Sequence, residues 1–216
     1  MNTDQLVDIL SADLEPVNRG QLGKILIAAI VTGAAAAILL MLATFGPRSD
    51  FQSTAHLEWL ALKLLFSVSV VGAAAPLLSR SIRPGLEDAT DWRLILLPFF
   101  AALAIAVAAL LLAQPDARVA MLRGATTISS LRCLLCIIFF ATIPMAAVIS
   151  AVRKGAPTRL RLSGAIAGVV AGGIGAAAYA FTCSSDTIPF IAIWYGGAIL
   201  ICAFIGAQLG PRLLRW

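Results

Sequence analysis

Apolar residues in this chain come in long unbroken blocks, not at alternating positions. Six blocks reach or approach the roughly 20 residues that cross a bilayer core: residues 22–45, 59–78, 94–113, 131–149, 162–181 and 190–209. Each predicts a membrane-spanning helix. Period-two alternation is absent, which argues against a β-barrel. The last two blocks are divided only by "TCSSDTIP", which predicts a tight hairpin. The pattern therefore predicts an all-α, polytopic six-helix bundle over residues 21–216, preceded by a polar head over residues 1–20.

Composition excludes a water-soluble alternative. Sixty per cent of the residues are hydrophobic and 12% are charged, against about 25% charged in globular chains. Mean hydropathy is +0.95. The solvent for this surface is a lipid bilayer. The head is acidic and the apolar block after it is longer than a signal-peptide core, so the head is expected to be retained.

Net charge is +5, but the cations are scattered between the apolar blocks instead of forming the clustered face of a nucleic-acid binder. No direct nucleic-acid contact is expected. With six spans both termini share one side. Eleven of the sixteen Lys and Arg fall there, from Arg19 and Lys24 to Arg212 and Arg215, and five fall on the other. The positive-inside rule places both termini in the cytoplasm. The segments around Asp50, Asp116 and Asp186 then face outward, towards the periplasm of a bacterial cell. Lys63, near the start of the second block, is expected to snorkel to the interface.

Small residues foreshadow the packing. Gly164, Gly168 and Gly172 recur every four residues, and Gly206 and Gly210 do the same. Such a face lets helices approach closely in lipid. Internal packing is its expected use and a homodimer the alternative.

Candidate chemistry is confined to a few residues. Cys133 and Cys183 fall at the outward ends of the fourth and fifth blocks, so topology brings them to similar depth. Two thiols there can form a disulfide or take a soft metal as thiolates; equally, cysteine packs well as a small hydrophobe. Cys136 lies one turn further in and Cys202 is mid-span; packing is expected for both. Asp186 can join the thiols as an auxiliary group. It or Thr187 can also cap the sixth helix, with Pro189 in its first turn. Trp194 and Tyr195 sit close enough to the outer end to belong partly to an interfacial belt. His56 is expected to be solvated. No P-loop, GxSxG or HExxH pattern occurs, so no enzyme is indicated. No carboxylate falls clearly within a span, which argues against an ion-coupled pump. No cofactor is expected beyond a transient heavy-metal ion at Cys133 and Cys183.

The head "MNTDQLVDILSADLEPV" is the other informative stretch. Leu6, Ile9, Leu10 and Leu14 fall on one helical face, while Asp4, Asp8, Asp13 and Glu15 supply four of the chain's eleven carboxylates. An acidic amphipathic helix is repelled by an anionic leaflet. It suits a basic cytoplasmic protein whose groove takes an apolar stripe.

The head "TDQLVDILSADLEPV", the six spans and the late block "TCSSDTIPFIAIWY" together resemble the NrsF family of membrane-bound bacterial anti-sigma factors, the negative regulators of sigma-F. The likeness covers essentially the whole chain, and the late block is its most specific part. It implies a multi-pass inner-membrane protein that holds an extracytoplasmic-function sigma factor inactive and releases it under oxidative or heavy-metal stress. The family's outer-face cysteine pair maps onto Cys133 and Cys183, and the sigma factor becomes the expected client of Asp4, Leu6, Asp8, Ile9, Leu10 and Asp13. Two rival readings remain: a membrane thiol–disulfide redox protein using "CLLC" (Cys133 and Cys136), and a small carrier or structural protein without thiol chemistry.

Overall fold

A computed structural model describes residues 20–46, 54–83, 92–125 and 128–215. Among them the chain is all helical. The helices are α1 (Gln21–Thr44), α2 (Thr54–Ser81), α3 (Leu96–Leu112, entered through a 3₁₀ turn at Trp92–Ile95), α4 (Pro115–Ala125), α5 (Ile128–Arg153), α6 (Leu160–Ala180) and α7 (Ile188–Leu213). All but α4 are long and apolar enough to cross a membrane. The expected head residues Asp4, Leu6, Asp8, Ile9, Leu10 and Asp13 lie outside the described residues, as does the acidic segment at residues 84–91.

Helix α6 is the axis of the bundle. Of its apolar window 83% is buried, against 17% for α3, which sits at the periphery. Helices α1, α2, α5 and α7 all pack on α6. Its small residues make this possible. A Cβ on Gly164 would collide with the Gly206 carbonyl, one on Gly168 with the Cys202 carbonyl, and one on Gly210 with the Leu160 carbonyl. The glycine face predicted from the sequence is thus used inside the chain, between α6 and α7. Large hydrophobics instead point outward from the surrounding helices, as at Ile27, Leu65, Phe100 and Phe204, which is the surface a lipid solvent requires.

Gly168→Leu therefore has nowhere to go, because the obstruction is backbone: Ala203 Cα would lie 2.7 Å from the new Cβ. Overpacking of this kind costs about 1–3 kcal/mol, and more where backbone must move. The expected result is a clear drop in the melting temperature of the detergent-purified protein, or loss from membranes. Gly23→Leu, which meets open space, is expected to melt like the parent.

Helices α1 and α5 run antiparallel, as α5 and α6 and α6 and α7 do. Gly33 of α1 meets Pro144 of α5, and Phe45 at the end of α1 meets Phe140. The bundle therefore has one end carrying Cys133 and Cys183 and an opposite end carrying Arg80, Arg153, Arg161 and Arg212. Helix α1 stops at Gly46, whose φ of +68° is favourable only for glycine; its N–H returns to the Met41 carbonyl at 3.2 Å.

The segment around Asp116 differs from the expected loop. It forms α4, with Pro115 at its start and Asp116 in its first turn, both favoured at a helix N-terminus. Arg118 explains the junction with α3: its Nη2 donates to the Leu111 carbonyl at 2.6 Å and its Nε to the Ala113 carbonyl at 2.9 Å. The cation thus satisfies carbonyls that the end of α3 leaves open.

Candidate functional site

The cysteine end of the bundle holds a compact polar cluster in otherwise apolar surroundings. Cys133 enters from the second turn of α5, and Cys183 from the loop that follows α6. Their sulfurs are 3.9 Å apart. Both residues are buried and both thiols are free. One helical turn before Cys183, Tyr179 projects from α6 and its hydroxyl donates to the Cys133 sulfur at 3.1 Å. The Tyr179 ring stacks on Phe140 with centroids 6.2 Å apart, which fixes the direction of that hydroxyl. Tyr195 closes the cluster from α7. Its ring packs edge-on against Phe190, and its buried hydroxyl lies beside Cys183 without a hydrogen bond of acceptable geometry.

Lys63 completes the site, and here the structure corrects the sequence expectation. The side chain does not snorkel outward. It is fully buried and turns in to the loop, donating from Nζ to Asp186 Oδ1 at 2.7 Å and to the Cys183 carbonyl at 3.0 Å. An unpaired ammonium at this depth would carry a penalty of several kcal/mol, so partner oxygens decide where it goes. Asp186 is corrected with it. Helix α7 begins at Ile188 with Thr187 in the N-cap position and Pro189 in the first turn; the Thr187 side chain makes no cap, and the Asp186 carboxylate is bonded to Lys63. The bond to Lys63 joins two opposite charges in apolar surroundings, and so also compensates the buried ammonium.

A third correction concerns Tyr195, expected partly in an interfacial belt and found fully buried. Residues Ile191–Tyr195 form a π-turn inside α7. Within it Ile191 and Tyr195 are buried and Ile193 is exposed. Such turns are frequent at functional sites.

The electrostatics single out Cys183. Its thiol is pushed below the ordinary thiol range, first by the hydrogen bond from Cys133 and then by the Lys63 charge, against a desolvation that acts the other way. Donors therefore run in series, from Tyr179 to Cys133 to Cys183. Of the pair, Cys183 is the thiol whose surroundings favour deprotonation, and the thiolate is the nucleophile and metal ligand.

The remaining cysteines are elsewhere. Cys136 is half-buried and borders a surface cleft with Phe45, Arg132 and Phe139, so the two thiols of "CLLC" have different surroundings. Cys202 packs against Gly172, with the sulfur 3.4 Å from the position a Cβ there would take; it is a packing residue, as expected. No cluster of three or more His, Cys, Asp or Glu suited to a metal exists among the described residues. Cys133 and Cys183 therefore offer a soft ion two ligands. Their separation matches the about 3.8 Å between two thiolates on a tetrahedral ion with 2.3 Å metal–sulfur bonds.

Residues 10–216 match the family model described as negative regulator of sigma F, NrsF. The chain belongs to the NrsF family. It is 34% identical over its full length to all of the probable anti-sigma-F factor NrsF of Azospira oryzae. It is 33% identical, again over the full length of both chains, to the anti-sigma-F factor NrsF of Caulobacter vibrioides. No solved structure matches the chain. NrsF proteins are regulators, so membership removes the thiol–disulfide enzyme from the rival readings. Of the cluster, sequence reasoning had named Cys133, Cys183 and Asp186 together. It missed Tyr179, which stands one turn from Cys183, and misplaced Lys63, whose signal was a cation inside an apolar block.

Proposed function

We propose that this chain is an anti-sigma factor of the bacterial inner membrane. Both termini are cytoplasmic, and it holds an extracytoplasmic-function sigma factor of the sigma-F type inactive until Cys133 and Cys183 react at the outer face. Full-length similarity to two anti-sigma-F factors supports the regulatory role. The observation that carries the sensing role is the buried thiol pair at 3.9 Å, at the end of the bundle away from most of the cations. In this reading the acidic face and apolar stripe of the head, Asp4, Leu6, Asp8, Ile9, Leu10 and Asp13, form the docking surface for the sigma factor.

Two reactions suit the pair. A peroxide-class oxidant takes two electrons: the Cys183 thiolate attacks the peroxide oxygen and becomes a sulfenic acid as hydroxide leaves. The Cys133 thiol then displaces water to form the disulfide. A soft divalent ion is instead bound by both sulfurs with loss of two protons. Disulfide closure brings the sulfurs from 3.9 Å to about 2.05 Å. Either product biases the bundle only if it fits one arrangement better than another.

The test is retention. The tagged full chain, solubilised from unstressed membranes, is expected to co-purify with the sigma factor whose promoter it controls. Co-purification from unstressed cells with no sigma factor at all would remove the reading.

A further inference from the structure

We infer that Lys63 is a positioning residue for the thiol pair: it clamps the Cys183 loop onto α2, so that reaction at Cys183 is felt along α2 to the opposite end of the bundle. The inference rests on the sensing role proposed above and assigns to it a residue that takes no part in the chemistry. Lys63 bonds to both ends of a four-residue segment, the carbonyl of Cys183 and the carboxylate of Asp186. That segment begins with Cys183 itself. The Cys133 backbone is fixed within α5, so whatever part of the approach side-chain rotation does not supply comes from the loop. Moving the loop by about 1.9 Å, the difference between 3.9 Å and a disulfide bond, either draws Lys63 with it or breaks its bond to the Cys183 carbonyl. Both outcomes alter the hold on α2.

Helix α2 is a suitable carrier. The Lys63 carbonyl accepts from Ser67 Oγ at 2.8 Å, and further along, the helix packs on a different side of α6 from α7, with Val71 against Gly173. At its far end the Ile82 carbonyl accepts from the Ala156 N–H at 3.3 Å, joining α2 to the turn between α5 and α6. A merely structural tie would not need charge, because a buried ion pair is often replaced by apolar residues at no cost in stability. The groups facing Cys183 are Cys133 from α5, Tyr179 from α6, Tyr195 from α7, the Ser185 backbone from the loop and Lys63 from α2, with Asp186 on the Lys63 ammonium; of these Lys63 is the cation, and its charge favours the Cys183 thiolate.

The experiment uses the full chain in membranes with its sigma factor, and compares Lys63→Met, Asp186→Leu and the double variant. Asp186→Leu strands the buried Lys63 ammonium and is expected to lower protein level; Lys63→Met leaves a carboxylate that is 23% exposed and is expected to lower it less. The double variant removes both charges and is expected to accumulate like the parent. It should nevertheless need about tenfold more hydrogen peroxide for half-maximal induction, and its Cys183 alkylation by iodoacetamide should shift upward by roughly one pH unit, a tenfold change in thiolate at a given pH. A double variant with the parent's dose response and alkylation profile would overturn the clamp. If it fails to accumulate, Lys63→Arg decides, since it keeps the charge but moves it off the two oxygens: a parent-like dose response there overturns the clamp, and a weakened one supports it. Cys183→Ser runs alongside. If it too induces normally, the sensing reading itself has failed, whereas its loss of induction beside a parent-like double variant rejects the clamp alone.

Discussion

Cys133→Ser and Cys183→Ser are each expected to abolish induction by peroxide while leaving repression in unstressed cells largely intact. Each substitution removes a sulfur that must form one of the two new bonds, so neither a disulfide nor a two-thiolate metal bridge can form. Fold is expected to survive, because a serine hydroxyl at position 133 can still accept from the Tyr179 hydroxyl, which now donates to sulfur at 3.1 Å. Cost in stability should stay near the about 1 kcal/mol of one net hydrogen bond. Cys202→Ser is the matched control: it changes a buried thiol packed on the glycine face and should induce like the parent. Target-promoter activity in the three variants, with and without stress, checks the set.

Acidity sharpens the same expectation. The Cys183 thiol lies below its ordinary range, chiefly through the hydrogen bond from Cys133. A lowered value means that thiolate persists as pH falls below the usual thiol range. Alkylation of Cys183 by a small neutral reagent should therefore stay fast at pH values where an unperturbed thiol has slowed. In Cys133→Ser the thiol-to-thiol bond is gone, and the profile should move upward. An unchanged profile would show that Cys133 does not activate its partner.

Removing residues 1–15 should release the sigma factor and raise target transcription to the stressed level, with the protein still in the membrane. The six membrane-crossing helices all begin after this segment, so insertion is expected to be independent of it. The narrower double variant Leu6→Asp, Leu10→Asp tests the apolar stripe and spares the acidic face. If both leucines are anchors, each truncation-scale loss is about 1–2 kcal/mol, and binding should weaken by roughly thirtyfold to several hundredfold. Sigma-factor binding to purified protein measures this. Undiminished binding by a stably expressed truncation would move the docking surface to the acidic segment with Glu87, Asp88 and Asp91.

How much of this was legible in the sequence follows from what each feature depends on. The spans were legible because crossing a bilayer is a demand on length and composition within one segment. The Gly164, Gly168 and Gly172 face was legible because helical period alone aligns it. The common depth of Cys133 and Cys183 followed from counting spans. Lys63 was not legible: its partners stand 120 and 123 residues away, and only packing tells whether a lysine near a helix end turns in or out. Asp186 was ambiguous for the same reason, since a cap is a local bond and an ion pair a distant one. The burial of Tyr195 was not legible either, because an aromatic near a span end fits an interfacial belt as well as a core position. Tyr179 was overlooked although its spacing to Cys183 is one turn, because a tyrosine near a span end also fits an interfacial belt.

The most direct test of thiol-triggered release reads both events in one sample. Membranes bearing the chain and its bound sigma factor are treated with hydrogen peroxide. At each time point mass spectrometry scores the Cys133–Cys183 crosslink and the supernatant is assayed for freed sigma factor. The account predicts that crosslink and release rise together, and that neither appears in Cys133→Ser or Cys183→Ser. A pair fully crosslinked with the sigma factor still bound, or release from membranes whose two thiols remain free, would contradict it.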